Sequence, residues 1–213
     1  MERTVAIGDI HGNIDKLKEL FKKLSTKKFD TIVFLGDYID RGKNSIDVID
    51  WLIELSLIWN CVFLKGNHEQ LFLNALKSLS EEDIAQCVIN GGEETLKNYL
   101  LLKKNNFEKF KKHIKFFKSL KNYYLTEKFL FVHAGINPFK DWDSQDEEDF
   151  LWIRNDFIDN PVNIPQTVIF GHTVFDEPFV QKDKIGINLG CGIWDEDGKL
   201  AAYLCEENKF VIA

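Results

Sequence analysis

The sequence predicts an α/β fold, and three observations carry that prediction. The first 80 residues alternate short β-branched or aromatic runs with amphipathic stretches, in the order βαβαβα. That order predicts parallel strands joined by right-handed crossovers. Each run also stops at a glycine followed by a polar residue. A buried strand that ends this way delivers polar groups to the carboxyl edge of a sheet, where open α/β sheets hold their ligands. The third observation is that strands return after a helical middle, near residue 123.

Thr4 to Ile7 read as the first strand, and Gly8-Asp9-Ile10-His11-Gly12 follows it. Asn13 can cap the next helix. Ile14, Leu17, Leu20, Phe21 and Leu24 recur there at helical spacing. Thr31 to Leu35 form the second strand, which runs into Gly36-Asp37-Tyr38-Ile39-Asp40-Arg41-Gly42. A helix is expected from about Asn44, with Ile46, Ile49, Leu52 and Ile53 facing inward. Cys61 to Leu64 make the third strand, closed by Lys65-Gly66-Asn67-His68-Glu69. The helix after it carries Leu71, Phe72, Ala75, Leu76 and Leu79.

From Ser80 to about Leu120 the pattern is helical, which reads as an insertion packed beside the crevice. Ser80 with Asp83 resembles a capping box. A later stripe holds Phe107, Phe110, Ile114, Phe117 and Leu120. Asn90-Gly91-Gly92-Glu93 interrupts the helices, and a plain helix–helix turn is preferred there over an approach to the crevice. Strands resume at Tyr123 to Leu125 and at Phe129 to Val132, the latter running into His133-Ala134-Gly135. Leu151-Trp152-Ile153-Arg154 sets an arginine after an apolar anchor. Thr167 to Phe170 read as a strand ending in Gly171-His172, and antiparallel strands are expected beyond it. Trp194 to Leu200 reads as a hairpin with Asp197-Gly198 in its turn. Its acids lack the spacing and the distal glutamate of a calcium loop.

Composition bounds the function. A chain of 213 residues fits one domain over 1–213, with the insertion at about 80–120. The net charge is −7 and no basic stripe is interleaved with aromatics, which argues against nucleic-acid binding. No apolar run approaches the ~20 residues that span a bilayer. The first residues lead directly into a strand, with no signal-peptide pattern. Cys61, Cys87, Cys191 and Cys205 lack close paired spacing, so they read as reduced thiols of a cytoplasmic protein.

The strand ends offer Asp9, His11, Asp37, Asn67, His133 and His172: two carboxylates, one amide and three imidazoles. Taken singly, each has a bland reading, such as a turn carboxylate, a cap or a satisfied core histidine. Six such groups exceed the four ligands of one zinc. They suit two divalent ions, with Asp37 bridging, Asp9 and His11 on one ion, and Asn67, His133 and His172 on the other. Two metals ~3.5–4 Å apart clamp the oxygens of an in-line displacement at phosphorus and supply a shared hydroxide as nucleophile. Arg41 and Arg154 can each hold a phosphate oxygen. Asp40 beside His68 favours a protonated ring that can give its proton to a leaving alkoxide. Glu69 is expected to support the loop. Manganese is the expected ion, and iron or zinc also fits this ligand set.

The motifs GDIHG, GDYIDRG, GNHEQ, HAG and GH, in this order over residues 8 to 172, resemble the PPP family of metallophosphoesterases. The short chain is most similar to bacterial and bacteriophage serine/threonine phosphatases and to their diadenosine tetraphosphatase relatives. The resemblance implies a calcineurin-like β-sandwich of two mixed sheets flanked by helices, with a helical insertion. It also implies that Asp9, His11, Asp37, Asn67, His133 and His172 are metal ligands, that Asp40 and His68 are the acid pair, and that Arg41 and Arg154 bind phosphate. The implied activity is hydrolysis of phosphoserine and phosphothreonine in proteins by direct attack of hydroxide, with no phosphoenzyme. Two alternatives stand beside it: a dinucleoside polyphosphate hydrolase on the same site, and a catalytically silent binding module. Ile39 replaces the family's usual valine, and Asn188-Leu189-Gly190-Cys191-Gly192 stands where eukaryotic members carry a tyrosine-bearing segment.

Overall fold

The computed structural model describes residues 3–24, 29–194 and 197–213. In chain order the elements are β1 (Thr4–Ile7), α1 (Ile14–Leu24), β2 (Thr31–Phe34), α2 (Ser45–Leu55) and β3 (Cys61–Phe63). Four helices follow: α3 (Asn67–Ser78), α4 (Glu81–Ile89), α5 (Glu93–Asn105) and α6 (Phe107–Lys118). Then come β4 (Tyr123–Leu125), β5 (Phe129–Val132), α7 (Glu147–Trp152), α8 (Asn155–Asp159) and β6 (Thr167–Val174). The chain closes with β7 (Phe179–Val180), β8 (Lys184–Leu189), β9 (Lys199–Leu204) and β10 (Lys209–Ile212).

Strand alternation builds the layers. In β1, Val5 and Ile7 face α1 and α2, whereas Ala6 faces the opposite side. In β2, Ile32 and Phe34 point to the helices, while Val33 points with Ala6. Across from them, Phe131 of β5 and Ile169 of β6 meet Ala6 and Val33 in a shared core. The neighbouring residues Leu130, Val132, Val168 and Phe170 turn outward onto Phe150 of α7 and Phe157 of α8. Period-two side chains buried on both faces therefore give helix, sheet, sheet, helix.

The strand order is β3-β2-β1-β9-β8-β6-β5-β4, with β10 on β9 and β7 on β8. β1, β2 and β3 pair in parallel, as the βαβαβα pattern predicts. The two sheets are not separate, however. β9 pairs β1 through Ala202–Leu204 and β8 through Lys199 and Leu200, so one strand belongs to both. Sequence periodicity reports faces but not pairing partners, and this link was not foreseen.

Three expectations about the later chain need correction. β6 does not stop at Gly171-His172 but continues to Val174, with an irregularity in its register after Phe170. β8 runs parallel to β6 and is antiparallel only to β7 and β9. The hairpin is β8 to β9, and residues 195–196 of its connection lie outside the described residues. Two helical stripes also shift. Leu79 and Phe107 are exposed, whereas Phe117 and Leu120 are buried and Phe110 and Ile114 pack on the core as expected; α6 also buries His113 and Phe116. The Asn13 side chain caps α1 through Lys16 N–H at 3.2 Å, and Ser80 caps α4 through Asp83 N–H at 3.2 Å. All four cysteines are free thiols. No helix among the described residues is long and apolar enough to cross a membrane.

Candidate active site

The loops after β1, β2, β3 and β5, with the irregular part of β6, meet in one crevice. Backbone bonds tie them together. Ile10 and His11 N–H donate to Asp37 carbonyl at 3.0 and 2.9 Å, and Gly171 N–H donates to His133 carbonyl at 2.8 Å. Asp9, His11, Asp37, Asp40, Asn67, His68, His133 and His172 are buried there, while Arg41 and Arg154 are exposed. Two cations thus stand above a floor of acids and imidazoles.

The backbone is strained where the chemistry sits. His11, Asp37, Asp40, Arg41 and His172 all have positive φ, between 46° and 70°. Left-handed non-glycine residues cost about 1–3 kcal/mol each and persist only where the surroundings hold them. Glu69 supplies one such hold. Its carboxylate accepts N–H bonds from Asp37, Tyr38, Ile39 and Gly66 at 2.8–3.3 Å, the loop support expected of it. Gly66 stands at the N-cap of α3 in place of Asn67, which is the first helical residue. A side chain at Gly66 would strike the Asp37 backbone and Glu69.

Asp37 is the centre. Its Oδ2 lies 3.6 Å from His11 Nε2 and 3.9 Å from His68 Nε2, and its Oδ1 lies 3.5 Å from His133 Nε2. Two groups with cation-binding geometry share it: His11–Asp37–His68 and Asp37–His133–His172. His11 Nδ1 donates to Ile39 carbonyl at 3.0 Å and His133 Nδ1 to Leu35 carbonyl at 2.9 Å. Those bonds fix the tautomer and leave each Nε2 as a lone pair, the usual orientation of a metal-binding histidine. His133 Nε2 then faces Asn67 Oδ1 at 3.0 Å, acceptor to acceptor. His172 Nδ1 meets the same oxygen at 3.0 Å, and its buried Nε2 has no hydrogen-bond partner. The facing lone pairs of His133 Nε2 and Asn67 Oδ1, with His172 Nε2 left unpartnered beside them, are what a cation satisfies. The residues therefore fit divalent metal.

Electrostatics agree. Burial pushes the Asp37 carboxyl up, but His133, His68, His11 and His172 together bring it below the usual range. Burial and then Asp37 hold Asp9 well above it. Burial lowers His11 to about 3, with His68 adding to the effect. Burial, His133 and Arg154 keep His172 well down. His68 differs: burial lowers it, yet Asp37 and Asp40 raise it overall. His68 Nδ1 bonds Asp40 Oδ2 at 2.8 Å, the pairing expected from sequence.

Asp9 belongs to neither cation-binding group. Its oxygens accept His172 N–H at 3.0 Å and Asn188 Nδ2–H at 2.7 Å. Asn188 also donates to His172 carbonyl at 3.1 Å, a supporting role sequence reading missed. The available signal was an amide inside the otherwise apolar stretch Ile185 to Leu189. The Gly91-Gly92 turn, read as a plain connection, does reach the crevice: Gly91 carbonyl accepts Arg41 N–H at 3.1 Å.

The calcineurin-like phosphoesterase family model matches residues 2–212. The chain belongs to that family. A Caenorhabditis elegans relative named "Putative serine/threonine-protein phosphatase C27B7.6" is 29% identical over 144 residues, 66% of this chain and 28% of that protein. The chain thus spans little more than a quarter of that relative's length. Among solved structures, a "putative diadenosine tetraphosphatase" superposes with TM-score 0.72 at 22% identity, covering 100% of this chain and 93% of that one. A cold-active protein-tyrosine phosphatase of a psychrophilic Shewanella superposes with TM-score 0.64 at 18% identity, covering 100% and 77%. These likenesses show the calcineurin-like phosphoesterase fold. The three proteins they join carry different substrate names.

Proposed function

We propose that this calcineurin-like phosphoesterase is a metal-dependent phosphomonoesterase that removes phosphate from phosphoserine and phosphothreonine in proteins, with residues 1–213 as one catalytic domain. The observation that carries the reading is the opposition of His133 Nε2 and Asn67 Oδ1 lone pairs beside Asp37, with the neighbouring His172 Nε2 unpartnered. Asp37 would bridge two divalent ions, manganese first among them. Asp9 and His11 would hold one, and Asn67, His133 and His172 the other. Bound there, the ions supply Lewis-acid neutralisation of the phosphoryl charge and acidify water.

The chain's own groups do the rest. Asp37 stays ionised across working pH because its carboxyl lies below the usual range. Arg41 and Arg154, exposed at the mouth, hold phosphate oxygens, for which the guanidinium fork is suited. His68, with its pKa raised and its Nδ1 on Asp40, donates the proton from Nε2 to the departing alkoxide. His68 Nε2 also lies within the first cation-binding group, so acid and metal roles compete for that nitrogen.

Asp37→Asn tests the reading. It is expected to lower manganese-dependent turnover of an aryl phosphate at least ~1000-fold, with bound metal reduced and the fold retained. Near-normal turnover in that variant would refute the bridge. A second reading, hydrolysis of dinucleoside polyphosphates, draws support from the end-to-end likeness to the "putative diadenosine tetraphosphatase". Phosphopeptide and diadenosine tetraphosphate assayed side by side separate the two.

A further inference from the structure

Asp40 and Arg41 are consecutive non-glycine residues in the left-handed region, at φ 70° and 64°. The helices between β3 and β4 reach them at two points. Arg41 N–H donates to Gly91 carbonyl at 3.1 Å. Asp40 N–H donates to Ser45 Oγ at 3.1 Å, and that hydroxyl meets Thr95 Oγ1 of α5 at 3.0 Å, with all three residues buried. The fit is close. Gly91 has φ 92°, and a Cβ there would lie 2.9 Å from Arg41 Cγ. A Cβ at Gly92 would lie 3.2 Å from Asp40 Oδ2.

We propose that the Gly91-Gly92 turn, Thr95 and Ser45 are positioning residues for Asp40 and Arg41, so that the helical insertion aims the proton-donating pair. The two hydroxyls fix the Asp40 backbone, and hence the carboxylate that holds His68. The turn fixes the strained Arg41 backbone and leaves no room for the pair to drift. Both hydroxyl-bearing residues are buried, and they reach the site through Asp40.

This inference rests on the reading of His68 and Asp40 as donor to the leaving group. The test uses manganese-loaded enzyme and two substrates: 4-nitrophenyl phosphate, whose leaving group needs little protonation, and phenyl phosphate, whose leaving group needs more. Asp40→Asn is the reference, expected to lose at least about tenfold more kcat on phenyl phosphate than on 4-nitrophenyl phosphate. Thr95→Val is expected to show the same bias at about three- to tenfold, with KM unchanged, and Thr95→Ser to restore it. Ser45→Ala should reproduce the bias and carries the test if Thr95→Val folds poorly. If Asp40→Asn is biased while Thr95→Val and Ser45→Ala slow both substrates equally, the positioning role is overturned and the proton-donor reading stands. If Asp40→Asn is itself unbiased, both are overturned.

Discussion

The crevice has two walls, and they are held in opposite ways. On the β2 side, Glu69 is a buried acceptor that gathers four backbone donors, from Asp37, Tyr38, Ile39 and Gly66. On the β8 side, Asn188 is a buried donor that gathers two acceptors, Asp9 carboxylate and His172 carbonyl. The first wall sets a buried carboxyl under the loop. Burial and Asp37 push the Glu69 carboxyl up to about 8, so near neutral pH it largely keeps its proton and the wall carries little charge. The second wall adds no charge beside Asp9. The comparison teaches that strained backbone needs many bonds from one strong acceptor, whereas a single carboxylate can be aimed by one neutral amide.

That contrast can be broken by stability measurements. Glu69→Ala leaves four buried N–H groups without their acceptor and is expected to cost about 4 kcal/mol, read from urea unfolding. Asn188→Ala strips fewer bonds and is expected to cost about 2 kcal/mol. Equal losses would mean that the two walls are held alike. Asn188→Asp sharpens the point, because it sets a second acid on Asp9; it should destabilise more than Asn188→Ala at neutral pH, and less as the pH is lowered.

The smallest effect lies away from both walls. His113 of α6 is buried between Tyr99 hydroxyl at 2.8 Å and Asp50 at 3.0 Å. Burial lowers its pKa, and Lys109 and Lys112 add to this against Asp50. The unfolded chain therefore binds a proton more readily, near the ordinary value of ~6.5. The stability from neutral His113 is complete above that pH and is lost as pH falls below it. His113→Gln should flatten this acid-side decline. An unchanged slope would show that His113 does not titrate in this window.

Much of this was legible in the sequence, for physical reasons. Strands β1 to β3 were readable because both of their faces are apolar and each ends at glycine. Asp37, His11, His133 and His172 were readable because a polar residue after such a stop has one crevice to face. The pairing of His68 with Asp40 followed from chemical complementarity across 28 residues. What escaped was carried by neutral groups whose local signal names no partner. Asn188 sits in a buried strand, and Ser45 meets Thr95 across 50 residues. Hydroxyls and amides of this kind read locally as caps or surface polar residues, so only the folded arrangement reveals what they hold. The continuity of the sheets through β9 was hidden for a related reason: alternation is blind to partner choice.

The shared strand has a consequence for dissecting the molecule. Division of the chain before β4 would leave Asp9, His11, Asp37 and Asn67 on one fragment and His133 and His172 on the other, with β9 on the second fragment. Neither piece alone would hold all six of the proposed metal ligands. The exposed edge of β1 would be the natural seam for reassembly, because Ala202, Tyr203 and Leu204 carry the register that fits it. Restored hydrolysis after mixing the two polypeptides would then report strand docking directly, and make this fold a two-part switch.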